Sequence, residues 1–203
     1  MWSKLLETPV GYYAENVMRR NSCAYHNWSH VLAMFKYLED NYYSYDIDLD
    51  AAILYHDSVY DDLPNKEARS CELFLDYYKM FPDRFSGINK NTVHSLIMDT
   101  ADHTISKGLP EVYRAIIRAD LHALADGESA FMNYHKIMNE SMHLYGIDRK
   151  TFAVNNIEFM EGLLDRCIDN MHNDIAYEYF WDSVILGIKE TIAMSSAILR
   201  VPA

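Results

Sequence analysis

Asn27-Trp28-Ser29-His30-Val31-Leu32-Ala33-Met34-Phe35-Lys36-Tyr37-Leu38 begins with a residue type that caps helices and then sets apolar side chains at Trp28, Val31, Leu32, Phe35 and Leu38. That spacing lays one stripe along an α-helix and puts His30 in its first turn. Downstream, Asp50-Ala51-Ala52-Ile53-Leu54-Tyr55 predicts a short buried helix ending in His56-Asp57, followed by a loop marked by Asp61, Asp62 and Pro64. From Asn65, the positions Ala68, Cys71, Leu75 and Tyr78 predict a third helix, closed near Pro82 and Gly87. Asn91 to Ala101 carries Val93, Leu96 and Ile97, and Gly108 ends that segment. Pro110 then opens a helix through Val112, Ile116, Ile117 and Leu121 with Asp120 inside it. Two further helical stretches precede Gly146 and follow Asp148, and an apolar one runs from about Trp181 through Ile185, Ile188 and Ile192.

The expected fold is therefore all-α, with roughly seven to nine helices in one bundle-like domain spanning residues 1–203. Composition agrees. Half of the 203 residues are hydrophobic, and only 7 Gly and 5 Pro are present, too few for the tight turns of a sheet-rich domain. No repeat, low-complexity segment or flexible linker interrupts the chain.

The formal net charge of -12 repels a phosphate backbone, so polymeric nucleic acid is not an expected partner. A small phosphorylated ligand is compatible with that charge, because a cation held in a cleft overrides the global field locally. Cys23, Cys71 and Cys167 are odd in number and widely spaced, which suits neither a disulfide framework nor a thiolate metal site. Met1-Trp2-Ser3-Lys4 leads into no apolar signal core, and no run approaches about 18 uninterrupted apolar residues. The expectation is a cytoplasmic protein without a membrane partner; a homo-oligomer is allowed.

Four residues draw attention as ligands. Tyr25-His26-Asn27-Trp28-Ser29-His30 places two histidines four apart, which would share a face if helical geometry held across them. An imidazole and a carboxylate side by side in His56-Asp57, at the end of an apolar helix, are costly to bury unless paired or bound to metal; the alternative is a capped end facing water. Asp120 sits in the otherwise apolar run Ile116-Ile117-Arg118-Ala119-Asp120-Leu121 and calls for a cation, either a metal or the guanidinium of Arg114 or Arg118. Together His30, His56, Asp57 and Asp120 would form a mixed nitrogen and oxygen site without thiolate, suited to iron, manganese, zinc, cobalt or nickel.

The order His30, then His56-Asp57, then a distant Asp120 resembles that of the HD superfamily. Tyr25-His26-Asn27-x-x-His30 is also similar to the histidine motif of cyclic nucleotide phosphodiesterases. More closely, Tyr25 to His30, His56 to Asp61, Asn65 to Glu67 and Ala119 to Leu121 resemble the small predicted metal-dependent HD phosphohydrolases of bacteria and phages. The specific motifs cover about residues 12–125, and the helical part at about 126–203 is matched more loosely. The resemblance implies an all-helical fold in which these side chains converge on one or two divalent ions (Mn, Fe, Mg, Co, Ni or Zn), with Asp57 as the bridge if there are two. It implies hydrolysis of a phosphate ester in a small molecule, a nucleotide being the expected substrate. A divalent ion brings the pKa of bound water towards about 7 and neutralises charge on phosphoryl oxygens, while His26, as general acid, protonates the departing oxygen.

Two more residues belong to this expectation as substrate or outer-sphere groups. His103, in Thr100-Ala101-Asp102-His103, matches a Thr-x-x-His element of the resembling family and could touch substrate or a second metal. Glu67 could order a metal-bound water, or serve the helix dipole alone. Tyr25 and Tyr60 flank the ligand motifs, either as packing residues or as platforms for a base. Two other functions fit the same ligand order: an HD-type di-iron oxygenase, and a metal-binding regulatory protein without turnover. His26 argues against the last, because a purely structural site does not require it.

Overall fold

The computed structural model describes residues 3–20, 23–41 and 43–201; Met1 and Trp2 of the N-terminal reading lie outside them. Among the described residues the secondary structure is entirely helical, as expected, with nine α-helices joined by turns and short 3-10 segments. Two compact units form, Met1–Asp102 with Gly108–Asp120, and His103–Lys107 with Leu121–Ala203.

In the first unit α1 (Pro9–Met18), α2 (Trp28–Asp40), α3 (Ile47–Tyr55), α4 (Lys66–Met80) and α5 (Lys90–Asp99) are followed by α6 (Glu111–Leu121), whose last residue falls in the second unit. α3 is the hub. Leu49, Ala51, Ala52, Ile53 and Leu54 are fully buried, and α1, α2, α4 and α5 all pack against this one helix. An apolar helix without a polar face has to be buried on all sides, and each Leu or Ile sealed this way stabilises the fold by about 1.5–3 kcal/mol. The helix begins three residues earlier than its apolar run predicts. Asp46 caps it by accepting from the backbone N–H groups of Asp48 and Leu49.

Two carboxylates near the start of α3 are buried because each has a distant partner. Asp48 Oδ1 accepts from the Asn89 N–H at 2.7 Å, which ties α3 to the cap of α5. Asp50 Oδ2 accepts from the Leu5 N–H at 3.0 Å, which anchors the N-terminal segment. Asp50 is fully buried and its Oδ1 has no hydrogen-bond partner, so burial pushes its pKa up to about 6 against the hydrogen bonds that favour its charge.

The second unit holds α7 (Gly127–Tyr145), α8 (Arg149–Asn173) and α9 (Glu178–Arg200). α8 and α9 are joined through a 3-10 turn at Ile175–Tyr177 and pack side by side. A buried hydroxyl pins all three helices, since Ser195 Oγ is 3.0 Å from both Tyr134 Oη and Asn156 Nδ2. Gly187 is required by a close approach: a Cβ there would lie 2.0 Å from the Leu124 carbonyl oxygen. No helix among the described residues is long and apolar enough to cross a membrane.

Candidate metal centre

Asn27 organises the first ligand segment. Its Oδ1 accepts from the Ser29 N–H at 2.9 Å, the N-cap bond of α2, while its Nδ2 donates back to the carbonyls of Cys23 and Ala24 at 3.0 and 3.1 Å. One amide thus starts the helix and holds the loop that carries Tyr25 and His26. Because the helix begins at Trp28, His26 lies outside it, and the helical spacing considered for His26 and His30 does not hold. His30 lies in the first turn as expected, 5% exposed.

The second segment follows from the end of α3. His56 is the C-cap of α3, and its Nδ1 faces the Ile53 carbonyl at 2.9 Å. Nδ1 therefore carries a hydrogen, so in the neutral imidazole the lone pair lies on Nε2. The turn after Asp57 is pinned from two sides: Ser58 Oγ donates to the Tyr55 carbonyl, and the Val59 N–H donates to Ser70 Oγ on α4. His56 and Asp57 are 1% and 8% exposed, so the water-facing helix end considered for this pair is not what forms.

The four candidate side chains converge. His30 Nε2 lies 3.0 Å from Asp120 Oδ1 and 3.8 Å from Asp57 Oδ2. His56 Nε2 lies 3.1 Å from Asp57 Oδ2 and 3.8 Å from Asp120 Oδ1. His30, His56 and Asp57 each offer one atom within 4.8 Å of the others, the spacing of ligands around one ion. Arg118, a cation considered for Asp120, has its guanidinium engaged by Glu111 and by the hydroxyl of Tyr43.

Electrostatics make this cluster a trap for positive charge. Burial opposes a charge on His56, but the carboxylates of Asp57 and Asp120 outweigh it and push the imidazole pKa up to about 9. Burial likewise resists the charge on Asp57; His56 and then His26 overcome it and hold the carboxyl well below the usual range, with Asp120 opposing them. The donor set fits a divalent ion on one observation above all. His56 Nε2 is buried and, although paired in charge with Asp57 Oδ2 at 3.1 Å, makes no well-formed hydrogen bond. A metal bond at that nitrogen would supply the aligned partner it lacks.

His26 stands beside the ligands. Its ring centroid is 6.2 Å from that of His30, and the imidazole is stacked on Tyr60 at 3.8 Å with a 12° angle between planes. Tyr25 closes on it edge-on at 4.8 Å. The Lys66 ammonium lies 3.5 Å from the Tyr60 ring centroid. With an imidazole on one face and an ammonium over the ring, Tyr60 has no face to offer a base, so the platform considered for it is not formed. The stack gave no sequence signal, although Tyr60 lies within the His56 to Asp61 motif.

Two other expected site residues have local surroundings of their own. Glu67 lies in the first turn of α4, where a carboxylate is favoured by the helix dipole, and its charge helps burial raise the Cys71 thiol to about 11. His103 belongs to the second unit, on left-handed backbone (φ 55°), where the Asn170 side chain donates to its carbonyl at 2.7 Å. No protein-family model matches the chain, and comparison with curated proteins and with solved structures finds no match either.

Proposed function

We propose that this chain is an HD-type, metal-dependent phosphohydrolase acting on a phosphate ester of a small molecule, a nucleotide being the expected class. The observation that carries the reading is the convergence of two buried imidazole nitrogens and two carboxylate oxygens, with His56 Nε2 left for a ligand by the bond at Nδ1. His30, His56, Asp57 and Asp120 would hold one divalent ion, and the carboxylate of Asp57 would be shared if a second were bound. The ion supplies Lewis acidity, which activates water and offsets charge on a phosphoryl oxygen.

The chain's own groups account for the rest. Asp57 stays ionised, since His56 and His26 hold its carboxyl below the usual range. His26 lies close enough to Asp57 to stabilise that charge, yet its ring is held by Tyr60 and Tyr25 outside the ligand cluster. An imidazole so placed can carry a proton on one ring nitrogen and give it to the leaving oxygen. The negative charge of the whole chain favours a small substrate over a strand of nucleic acid.

The test is a screen of phosphorylated metabolites with Mn, Mg, Fe, Co and Ni in parallel, read as released phosphate or altered nucleotide, with oxygen uptake followed in the iron samples. Metal-dependent release of phosphate is the expected result. Oxygen consumption with iron and no phosphate release would replace this reading with an oxygenase.

A further inference from the structure

The segment around His26 is built more firmly than a free-standing loop would be. His26 stacks on Tyr60 at 3.8 Å and nearly parallel, and the Lys66 ammonium lies 3.5 Å from the centroid of the same ring. An imidazole and an ammonium this close to one centroid cannot share a face, so His26, Tyr60 and Lys66 form a column with the tyrosine in the middle. Tyr60 follows the ligand pair His56-Asp57 by a few residues, and Lys66 opens α4. Cys23 Sγ faces the Tyr60 carbonyl at 3.6 Å, which ties the start of the His26 loop to the backbone of the residue that stacks on it. The Asn27 amide holds the same loop from its other end.

From this geometry we propose that Tyr60 is a positioning residue: its ring face, braced from behind by Lys66, fixes the imidazole of His26 relative to the carboxylate of Asp57. The inference rests on the phosphohydrolase reading and adds to it the element that aims the proton donor. A stacked face removes the imidazole's freedom to swing without itself covering the ring edge, where both nitrogens lie. Misplacing a reacting group by about 1 Å costs roughly 10²-fold in rate, so a side chain that prevents it matters without touching substrate. The phenol oxygen plays no part in this role; the ring alone does.

The experiment compares wild type, Tyr60→Phe and Tyr60→Leu, all loaded with Mn, on adenosine monophosphate and on p-nitrophenyl phosphate, with bound Mn measured in each. Tyr60→Leu should lose roughly 10²-fold in kcat on adenosine monophosphate at little change in KM, lose far less on p-nitrophenyl phosphate, and keep its Mn. Tyr60→Phe should restore the rate. In metal-free wild type, the His26 ring protons should resonate upfield of those in an unfolded chain, because they lie over the face of Tyr60; unshifted protons would overturn the stack without recourse to any variant. Equal loss on both esters, loss of Mn from Tyr60→Leu, or a Tyr60→Phe as impaired as Tyr60→Leu would also overturn the inference. A wild type that releases phosphate from neither ester nor from any compound of the metabolite screen overturns the phosphohydrolase reading and this inference with it.

Discussion

His30 Nε2 lies 3.0 Å from Asp120 Oδ1, although 90 residues separate the two in sequence. Neither is a natural neighbour of the other by local structure: one stands in the first turn of α2 and the other near the end of α6. The folded chain brings them together with His56 and Asp57, the pair at the end of α3, which is the most buried helix of the first unit. A polar cluster held by so apolar a scaffold is costly unless its charges pair with one another or bind an ion.

The general-acid assignment predicts a split between substrates. His26→Ala should keep its metal and lose roughly 10²- to 10⁴-fold in rate on an alkyl phosphate ester. An aryl ester such as p-nitrophenyl phosphate leaves as a stable anion and needs little protonation, so the variant should retain much more activity there. Equal losses on both, or loss of the metal, would remove His26 from that role.

Protonation of the cluster makes metal-free stability depend on pH. The folded pKa of His56, about 9, exceeds its ordinary 6.5, so its contribution is fully present below pH 6.5 and is lost as pH rises through 9. Asp57, depressed below 3.8, contributes above that pH and loses its contribution as pH falls further. The melting midpoint of chelator-treated protein should therefore fall between pH 6.5 and 9, and bound metal should flatten that fall by taking the proton's place. A rising midpoint across this range would contradict the charge distribution described.

Asp50 provides a second, independent pH dependence. Its carboxyl, raised by burial to about 6, is protonated more readily in the folded chain, so stability is lost as pH climbs from about 4 to 6. Asp50→Asn keeps an acceptor for the Leu5 N–H and removes the buried charge. At pH 7.5 it should be more stable than wild type by at most about 3 kcal/mol, with the gain gone near pH 4. A destabilised variant at pH 7.5 in denaturant titrations would show that the charge is better solvated than its burial implies.

Asn27 separates helix capping from loop positioning. Asn27→Asp keeps the oxygen that accepts from Ser29 but loses both donations to Cys23 and Ala24, so stability should change little while alkyl-ester turnover drops. Asn27→Ala loses all of these bonds and should cost a further ~1 kcal/mol of stability from the missing cap. Equal turnover for Asn27→Asp and wild type would show that the loop keeps its shape without the amide.

The helices were legible where apolar periodicity and a cap coincide, as at Asn27 and the stripe from Trp28 to Leu38. The early start of α3 was not, because Asp48 and Asp50 look like surface residues until Asn89 and Leu5, both remote in sequence, supply their partners. The residues of the buried polar cluster were legible as residue types, since His56-Asp57 closes an apolar run and Asp120 interrupts another. His26 illustrates the opposite limit: a cap at Asn27 excludes it from the helix, and what places it is a ring from another segment, Tyr60, which no local pattern announces.

Whether His30, His56, Asp57 and Asp120 bind a divalent ion is decided by metal analysis of the purified, reconstituted chain. Wild type should hold one or two ions per chain after dialysis. His56→Ala and the near-isosteric Asp57→Asn should lose most of that metal while keeping their helical content. Full occupancy in both variants, or a folded wild type that retains no divalent ion, would contradict the account.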